Sequence, residues 1–516
     1  MSGETNASLN RITLGAAGLA LAAGFILRFG NLLGNPLWLD EAYTAFAAER
    51  GLHFIWTVTP SYEVHPPLYY SLASLWVQAF GMSLGAYRAL GMLAGVLTLP
   101  VLWRIGAALA ERLGDTSKRL PATLMAFGAV SPMLAQMARE VRPYPLIILV
   151  YALGLLLVLR MAQGQRGWRT AAYLTCLILL LWLHTLGALF AGSLALALLI
   201  LTWQPDWRTR DWGAFVALHI AAGLAWAPAV AILVYQASAW VSSTWLGFNF
   251  AQLPRALATT YGVPGWFAAL FGVMLMGIGV RSLRHDLRLA TALLVATFLP
   301  SIAAIFASVT LSPVFIPRAL SAVTIPALAL AAIGAQGLFK SASPLARSLP
   351  LVFALALAVS ASVLVSRQRE QDWYVTLDHL TAAIKPGDVI LAYPNESALP
   401  LRYAARDKGQ TLTIRALPVE VPAPPESGPH PTGTRGVVSI SKDAMRTIPS
   451  EPGVAAAPTL WLVQINGQMF DPADDFGRIL SEGRAVRADW KTVDTRVRGF
   501  AQVRGRDGPA GEAATH

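Results

Sequence analysis

Long apolar stretches recur along the first 366 residues of the chain. A bilayer requires about 20 apolar residues in a helix, and most of these stretches approach that length. About eleven of them are candidate membrane spans, at residues 12–33, 86–110, 120–138, 143–160, 170–184, 186–203, 212–236, 263–281, 289–309, 319–339 and 348–366. The adjoining pair 170–184 and 186–203 is short, so these two helices are expected to turn near His184. The pattern predicts an α-helical polytopic membrane protein.

After residue 366 the pattern becomes that of a small α/β domain. Strand-like segments occur at residues 389–393, 411–417, 460–465 and 499–503, with a helix-like segment at 398–405. Residues 418–431 carry six prolines and are expected to form a loop or linker. The last ten residues are expected to lack regular structure. The sequence therefore predicts two domains, residues 1–366 in the membrane and residues 367–516 outside it.

The charge distribution agrees with this division. Hydrophobic residues make up 55% of the 516 positions and charged residues only 13%, against about 25% in ordinary proteins. The net charge of +11 arises entirely before residue 367, because the tail contains 18 basic and 18 acidic residues. Basic charge confined to the hydrophobic part is typical of cytoplasmic loops in membrane proteins. The charge therefore does not indicate a nucleic-acid partner.

The basic loops also predict the orientation of the helices. Residues 66–80 are apolar but short and begin with two prolines. If this segment lies at the membrane surface and the N-terminus is cytoplasmic, five basic loops fall inside; if it spans, all five fall outside, against the positive-inside rule. These loops contain Arg112/Lys118/Arg119, Arg160/Arg166/Arg169, Arg208/Arg210, Arg281/Arg284/Arg288 and Lys340/Arg347. We therefore expect a juxtamembrane or re-entrant helix at 66–80, a retained anchor at 12–29, and a periplasmic tail in an inner-membrane protein.

Few acidic residues face the outer side in this topology. The membrane part places five there, namely Asp40, Glu41, Glu49, Glu63 and Glu140. Asp40 and Glu41 follow the apolar approach Asn35-Pro36-Leu37-Trp38-Leu39, and carboxylates at a membrane face need partners or a function. Asp40 is either the N-cap of a helix over residues 41–49 or a functional acid, and its spacing alone does not separate the two.

Four segments resemble one family of enzymes. They are Pro36-Leu37-Trp38-Leu39-Asp40-Glu41-Ala42-Tyr43, His65-Pro66-Pro67-Leu68-Tyr69-Tyr70, Phe80-Gly81-Met82-Ser83 with Arg88, and Ser131-Pro132 with Arg139-Glu140-Val141-Arg142-Pro143-Tyr144. In this order they resemble the GT-C glycosyltransferases, in the bacterial branch of family 39, which includes relatives of protein O-mannosyltransferases and of the lipid A aminoarabinose transferase. The resemblance implies a GT-C-like membrane domain that takes a sugar from a polyprenyl-phosphate carrier outside the cytoplasm.

The resemblance also implies roles for individual residues. Asp40 matches the acid proposed as catalytic base, and Glu41 would orient Asp40 or the acceptor. The phosphate leaving group needs a cation, for which His65, Arg139, Arg142 and Arg318 are candidates. Glu140 and Tyr144 are further candidates for donor or acceptor binding, and Glu140 would pair with one of these arginines. As alternatives, His65 shapes a turn, Arg139 and Arg142 reach towards water at the interface, and Tyr144 packs with its hydroxyl there.

Two segments depart from the family pattern. His184-Thr185 resembles a Thr-His-Tyr segment but is followed by Leu186, and Arg318 is followed by Ala319 where relatives often have tyrosine. Both departures weaken the binding roles of His184 and Arg318. A divalent metal ion held by Glu63, His65, His184 and a carboxylate is an alternative, although the chain has no short-spaced ligand pair. No cofactor is clearly indicated.

The predicted partners are membrane lipid, a polyprenyl-phosphate sugar and an envelope acceptor, either a protein or a lipid. Neither a Walker A loop nor a dinucleotide-binding glycine motif is present. A transporter or flippase for a lipid-linked sugar is the main rival. Against it, charge is scarce within the spans, whereas transporters keep a polar site near the midplane. A scaffold that presents the tail would leave Asp40 and Glu41 without a purpose.

Overall fold

The computed structural model describes residues 2–61, 63, 65–243, 247–263, 265–366, 371–421, 440–465, 467–492 and 494–503. The chain divides into two compact units. The first consists of Met1–Gly34 and Tyr43–Arg367, and the second of Asn35–Ala42 and Gln368–His516. The short segment Asn35–Ala42, which carries Asp40 and Glu41, therefore belongs to the same unit as the tail.

The first unit is helical. Its helices are α1 (Ser2–Phe29), α2 (Leu39–Glu49, which starts in the other unit), α3 (Gly51–Thr57), α4 (Leu68–Phe80), α5 (Leu84–Arg112), α6 (Arg119–Ala129), α7 (Pro132–Ala138), α8 (Tyr144–Ala162), α9 (Trp168–Leu183), α10 (Gly187–Thr202), α11 (Thr209–Ser243), α12 (Leu253–Thr260), α13 (Trp266–Ser282), α14 (Leu287–Thr310), α15 (Thr324–Phe339) and α16 (Pro344–Ser366). Short 3-10 helices occupy Thr59–Ser61, Phe250–Gln252 and Pro317–Val323. Each of the eleven predicted stretches coincides with one of these helices or with a consecutive pair.

Helix length divides the candidate spans into those long enough to cross a membrane and shorter ones. Within the described ranges, seven helices are long and apolar enough to cross a membrane, and the pair α6–α7, bent by 59°, is an eighth candidate. Helices α9, α10 and α13 are apolar but shorter. Helix α4, which covers the ambiguous segment 66–80, has 13 residues. At 1.5 Å per residue it reaches about 20 Å, less than the hydrocarbon core of about 30 Å. The chain is thus a multi-pass membrane protein.

Small residues allow a close helix contact in this unit. Helices α13 and α15 pack against each other through Gly279 and Gly334. A Cβ on Gly279 would lie 2.1 Å from the carbonyl oxygen of Leu330, and a Cβ on Gly334 would lie 1.9 Å from that of Leu275. Because no side chain fits there, only glycine permits this approach, as is common between membrane helices. Helix α15 is consequently almost entirely buried.

The second unit contains a five-stranded sheet in the order β2-β1-β3-β5-β4. The strands are β1 (Val389–Ala392), β2 (Ile414–Ala416), β3 (Thr459–Ile465), β4 (Arg484–Lys491) and β5 (Thr495–Gln502). Strands β2, β1 and β3 run parallel, and β5 is antiparallel to β3 and β4. The helices of this unit are α17 (Trp373–Ala383), α18 (Ala398–Asp407), α19 (Lys442–Thr447), α20 (Gly467–Phe470) and α21 (Asp475–Ser481).

The predicted α/β tail is confirmed, with one strand missed. Every predicted strand or helix segment overlaps an element of the matching type. Strand β4 was not predicted because it is an edge strand whose residues are mostly exposed, so it lacks an apolar face. Of the proline-rich segment, residues 422–431 lie outside the described residues, as do the last ten residues.

Candidate active site

The first turn of α2 places Asp40 inside the helix. The carbonyl of Trp38 accepts a hydrogen bond from the backbone N–H of Ala42 at 2.8 Å, so Trp38 occupies the N-cap position. Helix α2 starts at Leu39, and Asp40 is its second residue. The alternative that Asp40 is the N-cap of a helix over residues 41–49 is therefore wrong.

Glu41 contributes to the same turn as the third residue of the helix. The backbone N–H of Trp38 donates to Oε2 of Glu41 at 3.4 Å, which is the return half of a capping box. Asp40 is 3% exposed and Glu41 is fully buried. Buried carboxylates in a first turn are stabilised by the positive end of the helix dipole. This turn therefore holds two carboxylates in a defined geometry, one of which supports the helix start.

A second group of polar side chains comes together in the first unit. We name His65, Arg142, Tyr144, His184 and Arg318 the imidazole–arginine cluster. The rings of His65 and His184 have centroids 4.3 Å apart, and those of Tyr144 and His184 are 5.9 Å apart. The Nε of Arg318 donates to the hydroxyl of Tyr144 at 3.3 Å. Five of the nine predicted site residues thus lie together.

Helix ends supply every member of the imidazole–arginine cluster. His65 precedes α4, whose N-cap is Pro67, and His184 lies in the turn between α9 and α10. Arg142 and Tyr144 flank Pro143, the N-cap of α8. Arg318 lies in the 3-10 helix Pro317–Val323. Four turns that are distant in the sequence therefore meet at one place.

His184 has a defined hydrogen-bonding state in this cluster. The backbone N–H of Leu186 donates to its Nδ1 at 3.0 Å, so a neutral ring carries its proton on Nε2. His184 is outside both flanking helices and is 4% exposed. Burial, together with the guanidinium groups of Arg142 and Arg318, lowers the pKa of His184 to about 3. Near neutral pH its ring is therefore an uncharged donor.

Arg142 contacts a residue that the sequence reasoning missed. Its side chain is 1% exposed, and its Nη1 donates to the hydroxyl of Thr44 at 3.4 Å. Thr44 follows Asp40 by four residues in α2, so the two share one face of that helix. The i to i+4 spacing from Asp40 was the sequence feature from which Thr44 could have been predicted as a site residue. Thr185 was also missed, and its hydroxyl lies 3.4 Å from Nδ1 of His65.

Arg139, only three residues from Arg142, has different contacts. Its Nη1 donates to the carbonyl oxygens of Leu27 and Gly30 at 3.0 and 2.7 Å, and its Nη2 donates to that of Asn31 at 3.1 Å. These carbonyls end α1, where a basic side chain is favourable. These contacts place the guanidinium of Arg139 at the end of α1. Its predicted role in phosphate binding receives no support from this geometry.

Two further acids that the sequence places on the outer side, Glu140 and Glu63, are buried. Glu140 is 5% exposed in the turn before α8, and Glu63 is 2% exposed shortly before α4. Across the described ranges of the chain, no group of three or more His, Cys, Asp and Glu side chains forms a potential metal site. The convergence of Glu63, His65 and His184 with a carboxylate on a metal ion is therefore not seen among these residues.

Two of the family-like segments turn out to contain helix caps. Gly81 ends α4 with φ of +87°, a conformation that favours glycine, and Ser83 caps α5 by accepting from the N–H of Ala86 at 3.2 Å. Ser131 caps α7 by accepting from the N–H of Leu134 at 3.5 Å, with Pro132 as the first helical residue. Gly81, Ser83 and Ser131 thus have a structural role at helix ends.

An apolar cavity of about 500 Å³ lies among α12, α13, α14, α15 and α16. Its lining includes Tyr261, Trp266, Gly277, Phe298 and Phe353. Helix α12 forms one wall and packs against the 3-10 helix that carries Arg318. A cavity with this lining and size suits a hydrocarbon chain.

No protein-family profile matches the chain, and no curated protein matches it in sequence. Solved structures, however, share its fold. The apo structure of ArnT from Cupriavidus metallidurans matches with a TM-score of 0.59 at 15% identity, over 96% of this chain and 99% of that one. The chain has the ArnT fold. ArnT bound to undecaprenyl phosphate matches with a TM-score of 0.57 at 15% identity, over the same shares of the two chains. The fold implied by the GT-C resemblance is thereby confirmed.

Proposed function

We propose that this protein is an integral membrane glycosyltransferase. It transfers a sugar from a polyprenyl-phosphate carrier to a hydroxyl of an envelope acceptor, a protein or a lipid, on the periplasmic side of the inner membrane. The observation that carries the proposal is the imidazole–arginine cluster, because two guanidinium groups and neutral donors gathered from four turns suit a phosphate. The ArnT fold and the complex of ArnT with undecaprenyl phosphate support the choice of donor.

Arg142 and Arg318 would bind the phosphate of the carrier. Arginine suits this task because its planar fork matches two phosphate oxygens and remains charged. His184, held neutral with its proton on Nε2, would add a donor without supplying a proton to the leaving group. A phosphate leaves without protonation when cations stabilise the developing charge. The cluster would thus stabilise the negative charge that develops on the leaving phosphate.

Asp40 would act as the general base. The acceptor oxygen attacks the anomeric carbon, its bond to that carbon forms, and the bond from the anomeric carbon to the phosphate oxygen breaks. The hydroxyl proton passes to the carboxylate of Asp40, and the electron pair leaves with the phosphate. Attack from the opposite side inverts the anomeric configuration. Glu41 would keep the first turn of α2 in place through its contact with Trp38.

The apolar cavity supports a lipid-linked donor. Because α12 adjoins both the cavity and the element that carries Arg318, a prenyl chain in the cavity would have its phosphate end near the imidazole–arginine cluster. The rival transporter hypothesis predicts polar groups near the middle of the spans. The members of the cluster lie instead at helix ends, which favours transfer at one membrane face.

The test replaces Arg142 or Arg318 by Lys, which keeps the charge and loses the fork. A charge-assisted hydrogen bond is worth about 1.5–3 kcal/mol, so kcat/KM for the polyprenyl-phosphate sugar should fall by roughly 10- to 100-fold. Binding of undecaprenyl phosphate, measured by native mass spectrometry, should weaken in parallel. Arg160→Lys is the matched control, since Arg160 pairs with Glu111 away from the cluster. Wild-type binding and transfer in both cluster variants would refute the donor site.

A further inference from the structure

One hydrogen bond joins the start of α2 to the beginning of the tail. The backbone N–H of Leu39 donates to Oε1 of Gln371 at 3.0 Å, across 332 positions of the sequence. Both residues belong to the second compact unit, in which Asn35–Ala42 clusters with the chain from Gln368 onwards. The contact therefore lies within that unit. It involves the residue that immediately precedes Asp40.

Gln371 is held by its neighbours in the chain. Asp372 caps α17, because its Oδ1 accepts from the N–H groups of Tyr374 and Val375 at 3.1 and 3.2 Å. Trp373, the first residue of α17, is fully buried. The backbone at Gln371 is thus anchored to a capped helix with a buried tryptophan.

The amide oxygen of Gln371 supplies an acceptor that α2 lacks. The first N–H groups of a helix have no partner within the helix. At α2, Glu41 accepts from Trp38 and Gln371 accepts from Leu39, so one acceptor comes from the helix and one from the tail. Loss of an acceptor at the N-terminus of a helix destabilises its first turn. That loss should loosen the first turn while the rest of the helix stays folded.

We infer that Gln371 is a positioning residue for Asp40, through which the tail holds the first turn of α2 in its active geometry. The inference rests on the proposed function and gives the tail a specific task in it. A general base must lie within about 2.6–3.2 Å of the proton it removes. A shift of about 1 Å in a catalytic group can reduce the rate by roughly 10²-fold. A looser first turn should therefore lower kcat more than donor binding.

The experiment compares Gln371→Met with Gln371→Glu in the full-length protein. Methionine keeps the length of the side chain and removes the acceptor, whereas glutamate retains an acceptor oxygen. Gln502→Met is the matched control, because Gln502 is an exposed tail residue whose Nε2 donates to the carbonyl of Ala455. Amide exchange of a peptide covering residues 36–44 reports on the turn, and kcat and donor KM report on transfer.

Gln371→Met should accelerate exchange in this peptide and lower kcat by about tenfold or more, with donor KM within about twofold of wild type. Gln371→Glu should restore slow exchange and most of kcat, and Gln502→Met should behave like wild type. Unchanged exchange in Gln371→Met would overturn the inference whatever the activity. Faster exchange with unchanged kcat would overturn the positioning role and leave the proposed function standing. A wild-type protein that neither binds undecaprenyl phosphate nor transfers sugar would instead overturn the proposed function.

Discussion

Replacing Asp40 by Asn tests the chemistry without disturbing the fold. Asp40 is the second residue of α2, and at the start of that helix Glu41 accepts from the N–H of Trp38 and Gln371 accepts from the N–H of Leu39. Asn keeps the shape of the side chain, loses the negative charge and replaces one acceptor oxygen by an NH2 donor. The lost interaction with the helix dipole costs about 0.3–1 kcal/mol. The free energy of unfolding of a native protein is about 5–15 kcal/mol, which exceeds this loss, so nearly all of the protein should stay folded.

The expected loss of activity is much larger than the loss of stability. A general base contributes about 10²–10⁴-fold to a rate, which corresponds to about 3–5 kcal/mol in the barrier. Because the two magnitudes differ by at least about 2 kcal/mol, a change in folding cannot account for the predicted fall in kcat. Glu41→Gln is the comparison variant. Gln keeps an acceptor for the N–H of Trp38, so its activity should fall only a fewfold.

The assay uses purified protein in detergent, a polyprenyl-phosphate sugar and an envelope extract as acceptor, with thermal unfolding recorded for each variant. Asp40→Asn should unfold within a few degrees of wild type and show at least a 10²-fold lower kcat. Full turnover by Asp40→Asn would refute the assignment of the base. If activity fell only in proportion to a loss of folded protein, the claim that Asp40→Asn impairs catalysis without unfolding the protein would be refuted.

Further predictions concern topology and the apolar cavity. A reporter active only in the periplasm should be active when fused after Arg367 and silent after Arg119 or Arg288; an active fusion at Arg288 with a silent one at Arg367 would invert the topology. Gly277→Leu should place a side chain in part of the cavity, because a Cβ there meets open space. Displacing about two prenyl methylenes should raise KM for long-chain donors by about tenfold and leave short-chain donors almost unaffected. Gly223→Leu on α11 is the control, and equal effects of the two variants would contradict a prenyl site.

Much of the architecture was readable from the amino-acid sequence. Stretches of apolar residues match helices because the bilayer sets a length and excludes unpaired polar backbone. The shortness of residues 66–80 agrees with the 13-residue helix α4. In the tail, the central strands β1 and β3 were predicted because both of their faces are buried, whereas the edge strand β4 was missed because it has no apolar side.

The candidate site was only partly predictable. Motif resemblance singled out Asp40, His65 and Arg142 as candidates, since each follows a recognisable local pattern. The resemblance gave Arg139 and Arg142 the same role. In the structure, Arg139 donates to a carbonyl at the end of α1, whereas Arg142 donates to Thr44. Three residues of spacing within a turn do not determine a side-chain direction, because the turn has no repeating geometry.

Contacts between residues far apart in the chain could not be predicted from the sequence. His184 and Arg318 depart from the family pattern, yet both belong to the imidazole–arginine cluster. Gln371 carries no motif, and its contact with Leu39 spans 332 positions. Local sequence patterns encode helix length, caps and exposure, because these depend on neighbours a few residues apart. Which turns meet depends on how complete helices pack, and that packing is a property of the whole chain.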